Sequence, residues 1–408
     1  MNKNILKGAG LIAAASILSP AAIAADDAPS WNISGWLNES MTYYDDGVRS
    51  DVVNSGDNGT TLGSRITLSG STPLAGTGLS AGFEVILEPT AFGSGDPLTV
   101  DGLNPFTGAP LGGGAQGEFE NSNDFGNRIS LLSNNVHVAG AFGKLTFGTQ
   151  SMPTDNIAVL ADPSLTLWSS ISPVFRGNGF AIQGGSGAAW GSFLQCLGVP
   201  GLGIGLDCNG IYRNGVRYDL PAFGPVSVAV GYANDDVYDV AVKYSGTIAG
   251  LTANVHGGYS YNADGGTNVG ATDGSDTFQI QAGLMDPNSG IFGAIAYQNE
   301  QADGGPATAS NDTDAWWLKL GIKKNWTGYG DTAIGVNYGE YNDQFGTLAV
   351  TGSKVTRWGL SVDQYFGSNL IIYGLYRNLS LDVDGDVGGL YTNAEDLDTF
   401  TLGLTYFF

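Results

Sequence analysis

The chain has 408 residues, with 16 basic and 39 acidic side chains, a formal net charge of −23 and 64 glycines. This acidic balance argues against a nucleic-acid partner, because like charges repel the phosphate backbone. Gly, Asn, Ser or Asp interrupts every apolar run after residue 24, which excludes a predicted transmembrane helix there.

The first residues have the pattern of a secretory signal peptide. Lys3 and Lys7 precede a short apolar run over residues 8–18, and Ala22, Ile23 and Ala24 form a small-residue cleavage site. We therefore expect residues 1–24 to be removed and residues 25–408 to form one domain, since no linker or composition break divides them.

The remainder of the chain is predicted to be all-β. Clusters of Gly, Asn and Asp recur about every ten to fifteen residues, which is typical of turns that separate short strands. Between these clusters, apolar and polar residues alternate. Around residue 320, for example, an apolar face opposes a face of lysines (Trp316, Leu318, Leu320 and Ile322 against Lys319 and Lys323).

Alternating apolar and polar residues also occur in a soluble antiparallel β-sandwich, so alternation alone does not indicate a membrane protein. The number of strands and the residues at their ends favour a closed antiparallel transmembrane β-barrel instead. Aromatic residues lie at the strand ends, where a membrane has its two interfaces. Connections alternate between short and long, and an open sheet edge in lipid would leave backbone groups unpaired. About sixteen strands are predicted, starting near Asn32, Gly63, Leu79, Asn127, Lys144, Gly210, Pro225, Val237, Leu251, Thr277, Ile291, Ala315, Asp331, Val355, Asn369 and Asp398.

The chain ends on a strongly alternating strand. Its apolar face is predicted to meet lipid while the strand closes the barrel against the first strand. That face comprises Phe400, Leu402, Leu404, Tyr406 and Phe408.

Three segments resemble the general diffusion porins of Gram-negative outer membranes: residues 125–150, residues 212–234 and the terminal "TLGLTYFF". The resemblance covers essentially the whole chain after residue 24. It implies a passive outer-membrane channel for small hydrophilic solutes, built as a homotrimer of sixteen-stranded barrels amid lipids and lipopolysaccharide. It also implies that a long third loop folds into the lumen and that the insertion machinery recognises the C-terminal Phe pattern.

Strand alternation assigns each charge to lipid or lumen. A lipid-facing Arg or Lys at mid-membrane costs about 2–4 kcal/mol, so the charged faces are predicted to point inward. The inward set comprises Arg65, Arg128, Lys144, Arg213, Arg217, Lys243, Lys319, Lys323 and Arg357, with Glu84, Glu88, Asp219, Asp239 and Asp363.

The resemblance implies a constriction in which acids of the third loop, residues 151–209, face arginines on the wall. Arg65, Arg128 and Arg213 match the family's wall positions, and Arg217 lies on the same face. Asp155 and Asp162 are the expected loop acids. We expect ion preference to change with salt, from cations in dilute salt to weak or anion-favouring selectivity once exposed loop acids are screened.

Cys196 and Cys208 are predicted to form a disulfide, because the compartment is oxidising. The bond is expected to stiffen a surface part of the third loop. A metal site is the alternative, but two cysteines without a nearby histidine make a poor one.

No cofactor is expected, although weak calcium binding is a hypothesis for one loop. Asp382, Asp384 and Asp386 have the 1-3-5 spacing of a calcium loop, but Val387 and Asn393 stand where that motif needs Gly and Glu. Bridging of acidic loops to lipopolysaccharide phosphates by calcium is a second possibility.

Three functional alternatives remain open at this point. The first is a channel selective for a sugar or an anion, where Trp168 and Trp190 would be candidates for a line of aromatics along a sugar path. The second is a hydrolase built on a barrel, which would need a lipid-facing Ser–His pair. The third is a plugged structural or adhesive barrel that conducts nothing.

Overall fold

The computed structural model describes residues 29–54, 62–90, 128–184, 188–197, 204–209, 212–234, 236–263, 274–302, 311–345, 350–386 and 388–408. The predicted signal peptide lies outside the described residues. Among the described residues, no helix has the length and apolar character needed to cross a membrane.

The described part of the chain contains seventeen strands and a short 3-10 helix, Trp190–Phe193. The strands are β1 Ser30–Asp45, β2 Ser50–Asn54, β3 Arg65–Leu74, β4 Leu79–Thr90, β5 Arg128–Gly140, β6 Gly143–Ser151, β7 Tyr212–Asp219, β8 Val226–Ala233, β9 Val237–Ile248, β10 Leu251–Asn262, β11 Ser275–Met285, β12 Ile291–Ala302, β13 Asp312–Lys324, β14 Thr332–Asn342, β15 Gly352–Phe366, β16 Leu370–Asp384 and β17 Leu397–Phe407.

Sixteen of these strands close an antiparallel barrel, as the sequence predicts. From β3 to β17 each strand pairs with the next, and β1 pairs with both β3 and β17. The seventeenth, β2, is a short extra strand that pairs with the outer end of β1. The turn before it contains Gly47 at φ 81°, a backbone conformation that glycine tolerates without strain.

The seam between the first and last strands is paired along the length of β17. Its register runs from Trp36 opposite Phe407 to Asp45 opposite Asp398. Beyond it, the Gly35 amide donates to the Phe408 carbonyl at 3.0 Å, and the Phe408 amide donates to the Gly35 carbonyl at 3.2 Å. β17 is therefore paired along both of its edges, while Ser30–Ser34 of β1 extend beyond its end and pair with β3.

The two faces of the barrel wall alternate as predicted. On β17, Phe400 is 54% exposed and Leu402 is 58% exposed, whereas the inward Thr401 is 1% exposed. Outward aromatics cluster at the extracellular ends of the strands, with Trp316 and Tyr338 rings 5.4 Å apart. An apolar outer surface bounded by aromatics fits a lipid bilayer.

The hydrophobic core lies inside the lumen, where the third loop packs against the wall. This loop follows β6, and its described residues are almost all buried. The Trp168 ring lies 6.2 Å from Trp36 and 5.3 Å from Phe407, and Phe180 lies 4.8 Å from Tyr44. The loop thus reaches across the barrel from β6 to the seam.

Candidate pore and its lining

The third loop covers the inward side chains of the barrel wall to different degrees. Inward side chains of β13 and β15 are fully covered, as Lys319 and Arg357 are 0% exposed. By contrast, the Lys144 and Asp219 side chains on β6 and β7 are 30% and 25% exposed. We define the open path as the space between the third loop and the inward faces of β3–β7.

Lys319 anchors the first part of the loop. Its Nζ donates to Asp162 Oδ2 at 2.6 Å, to the Ser170 carbonyl at 2.8 Å and to Ser164 Oγ at 3.1 Å, and it also bonds Thr166. The ammonium group therefore exchanges its water shell for four loop acceptors. The structure thus places the Asp162 carboxylate against the wall, away from the open path.

Arginines anchor the middle of the loop. Arg357 donates to the Pro173 carbonyl at 2.8 Å and also bonds other loop carbonyls. From the loop side, Arg176 donates to Ser40 Oγ at 2.6 Å and to the Tyr373 hydroxyl at 2.7 Å. Since these donors are buried, their bonds fix where the loop runs.

Arg65 lies on the inward face of β3 and is nearly buried. Its Nε donates to Glu88 Oε1 at 2.8 Å, and its guanidinium lies 5.4 Å from the Trp36 ring centroid and 5.8 Å from that of Tyr212. The pair leaves little net charge at this position. The side chain of Arg128, the other arginine expected here, lies outside the described residues.

Arg217 is the centre of a second charged group on the open path. It donates to Asp219 Oδ1 at 2.7 Å through Nη2 and to the Ser151 carbonyl at 2.9 Å through Nη1. Lys144 Nζ lies 3.8 Å from the other carboxylate oxygen of Asp219. Cations and one acid therefore share the periplasmic half of the open path.

Asp155 lies at the start of the third loop and within electrostatic range of Arg65, Arg217 and Lys243. Burial raises the pKa of the Asp155 carboxyl, while a hydrogen bond from Ser151 and the three cations oppose the rise. Of the two expected loop acids, this is the one that faces the wall arginines.

Sequence analysis missed two inward charges. Arg377 on β16 donates to the Arg176 carbonyl at 3.1 Å, and Glu300 on β12 accepts from the Leu197 amide at 3.2 Å. The inward face of β16 carries Leu375 and Leu379, which pack against the loop. Because these inward residues are apolar, the inward face of β16 does not differ in polarity from its outward face. Counting alternate residues from the outward Ile372 would nevertheless have placed Arg377 on the inward face.

The predicted disulfide between Cys196 and Cys208 is present, with the two Cα atoms 5.3 Å apart. Its expected surface position is wrong, because both cysteines are buried inside the barrel. The Cys208 amide donates to Gln298 Oε1 at 3.2 Å, so the bond lies against β12. Glu300 is close to both sulfurs, but a disulfide offers no thiolate to a metal.

The three aspartates of the calcium hypothesis occupy the end of β16 and the following loop. Asp386 accepts from the Leu390 and Tyr391 amides, both at 2.7 Å. Within the described residues, these carboxylates do not form a group close enough for one ion. Binding at Asp382, Asp384 and Asp386 stays a prediction.

The tryptophans considered for a sugar path are part of the loop core. Trp168 and Trp190 are both buried, and Trp168 packs against Trp36 and Phe407. Neither ring lines the open path. Their burial therefore gives no support to the alternative of a sugar path lined by these two rings.

Comparison with known proteins agrees with this architecture. The model of the Gram-negative porin family matches residues 10–386. An anion-selective porin from Comamonas acidovorans is 17% identical, with 93% of this chain and 100% of that chain covered and a TM-score of 0.57. OmpF of Salmonella typhi is 13% identical, with 94% and 98% covered and a TM-score of 0.55.

OmpT of Vibrio cholerae, in a trimer form, is 14% identical, with 94% of this chain and 100% of that chain covered and a TM-score of 0.53. No curated protein matches the sequence significantly. At these identities the solved structures support the fold alone.

Proposed function

Because this chain belongs to the family of Gram-negative porins and is an outer-membrane diffusion channel, we propose that small hydrophilic solutes and ions cross it along the open path beside β3–β7. The proposal rests on the difference in exposure between inward side chains on the two sides of the third loop. Lys144 and Asp219, beside the periplasmic turns, stay accessible on this side, while Lys319 and Arg357 are sealed beneath the third loop. Flux follows the concentration gradient.

The charges of the open path favour a weak ion preference. Arg65 is paired with Glu88, and Arg217 with Asp219. Lys144 and the nearby Lys243 of β9 add positive charge, and Glu84 and Asp155 add negative charge beside them. At about 0.15 M salt the Debye length is about 8 Å, which screens the acidic loops from the pore. The channel then has weak or anion-favouring selectivity, whereas in dilute salt the acidic net charge of −23 favours cations.

Thiol modification tests the position of the path. Both native cysteines are in the disulfide, so an introduced cysteine is the only free thiol. We expect a negatively charged methanethiosulfonate to react with Lys144→Cys, lower the single-channel current and move the reversal potential toward cations. Thr401→Cys, beneath the loop, is the matched control and should keep its current. Rapid block at position 401, or no reaction at 144, would contradict the proposal.

A plugged barrel is the second candidate function, favoured by the near-complete burial of the third loop. Wild-type recordings without current would support it over the channel. We also infer that the chain catalyses no reaction. Both histidines lie on inward strand faces, and His256 is buried, which speaks against a lipid-facing Ser–His pair.

We propose that the channel is a homotrimer, in the manner of the trimer form of OmpT from Vibrio cholerae. Glu39 midway along β1 and Asn134 midway along β5 point outward and are exposed in one chain. Exposing these polar groups to lipid costs free energy, so contact with a neighbouring subunit is more favourable than contact with lipid.

Native mass spectrometry of the detergent-solubilised protein should give three chains. A bifunctional thiol reagent should join subunits of Asn134→Cys but not of Leu320→Cys, whose side chain points outward on the distant β13. A monomeric mass would refute the trimer, and equal cross-linking of both variants would refute the interface.

A further inference from the structure

A polar cleft lies at the extracellular end of the lumen, where the third loop leaves β6 and returns to β7. Both ends of the loop contribute to it, together with the outer ends of β7, β9, β10 and β11. Its lining comprises Met152, Thr154, Cys208, Asn209, Arg213, Val237, Asp239, Ser260, Asn262, Ser275 and Thr277.

Two buried side chains of this cleft have an unused polar atom. Asp239 is 6% exposed, and its Oδ2 accepts from the Thr154 amide and hydroxyl at 3.0 and 2.7 Å, yet its Oδ1 has no partner among the described residues. Asn209 is 5% exposed; its Oδ1 accepts from Ser260, while its Nδ2 has no partner in the described structure. Buried polar atoms are normally satisfied, so each of these two atoms needs a hydrogen-bond partner from water or from a ligand.

The two atoms have complementary chemistry. Asp239 Oδ1 offers a negatively charged acceptor, Asn209 Nδ2 offers a donor, and Arg213 places a guanidinium on the same cleft. A ligand suited to all three carries a cationic donor and an anionic acceptor a short distance apart. Hydroxyl groups supply much of the remaining lining, and none of the described lining residues has an aromatic ring on which a sugar could stack.

We propose that this cleft binds small zwitterions of the amino-acid type, with glycine as the smallest. The ammonium group bonds Asp239, and the carboxylate bonds Asn209 and lies toward Arg213. The inference rests on the proposed function, since the site would hold solute at the extracellular entrance to the open path. Arg217 lies on the same face of β7, closer to the periplasm.

Saturation-transfer difference NMR on the purified oligomer in detergent micelles tests the site with glycine as the probe. We expect a saturable signal from the glycine methylene protons. Asp239→Asn keeps an acceptor for Thr154 but removes the charge, and should weaken glycine binding by about tenfold or more, the range expected for a hydrogen bond to a charged group. Arg213→Gln should also weaken it. Asp314→Asn, the same change on the outer face of β13, should leave binding unchanged.

Two related molecules serve as controls for the charges and the N–H donors of glycine. Acetamide carries no charges, and N,N,N-trimethylglycine has no N–H to donate, so both should give much weaker signals. Absence of a saturable glycine signal would mean that water alone fills the cleft and would overturn the proposal. Equal binding by wild type and folded Arg213→Gln would overturn it too. Current recordings on the same preparation separate this failure from failure of the channel itself.

Discussion

Replacing Lys319 with methionine should release the first part of the third loop and widen the channel. The ammonium group is fully buried and bonds Asp162, Ser164 and Ser170. Without it, the buried Asp162 carboxylate loses its ion-pair partner and keeps only the more distant Lys323 within electrostatic range. Removing one partner of a buried ion pair typically costs about 3–5 kcal/mol, which is enough to detach a loop segment.

Single-channel conductance and the largest polymer that enters the pore should both rise in Lys319→Met. Lys324→Met, the same change at the exposed end of β13, is the matched control and should conduct like wild type. The double variant Lys319→Met, Asp162→Leu should regain part of the lost stability, because neither charge is then left alone. Unchanged conductance and polymer cut-off in a folded Lys319→Met protein would rule out Lys319 as the anchor.

Deleting Phe408 should abolish assembly in the outer membrane while leaving secretion intact. The deletion removes both hydrogen bonds between Phe408 and Gly35 that extend the seam. It also removes the last aromatic of the outward face, which the porin resemblance implies is recognised by the insertion machinery. The expected result is loss of the heat-modifiable oligomer on gels.

Phe408→Trp is the control for this deletion, since it keeps both the backbone bonds and an aromatic ring. It should assemble normally. A normal amount of oligomer from the deletion variant would show that neither the terminal bonds nor the terminal ring is needed.

The barrel itself could be predicted because lipid imposes a strict rule on each strand. A charge facing hydrocarbon is costly, so alternation on β13 fixes Lys319 and Lys323 inward and Leu318 outward. Turn clusters then locate the strands. The short β2 escaped prediction because five residues beside a glycine turn carry too few alternations to be distinguished from a loop.

The third loop could not be predicted in the same way. It has little regular secondary structure, so no period assigns a side chain to one environment. The position of the Asp162 carboxylate depends on Lys319, which is far away in the sequence. The burial of the disulfide depends on its contact with β12. The resemblance implied that the loop enters the lumen, but its partners come from contacts across the barrel.

The position of Trp168 has a consequence for how the molecule forms. Its ring lies against Trp36 of β1 and Phe407 of β17, on the two strands that close the barrel. Packing of the loop and closure of the barrel are therefore coupled, since this one contact joins residues from the beginning, middle and end of the chain. Contacts of such large sequence separation make folding slow.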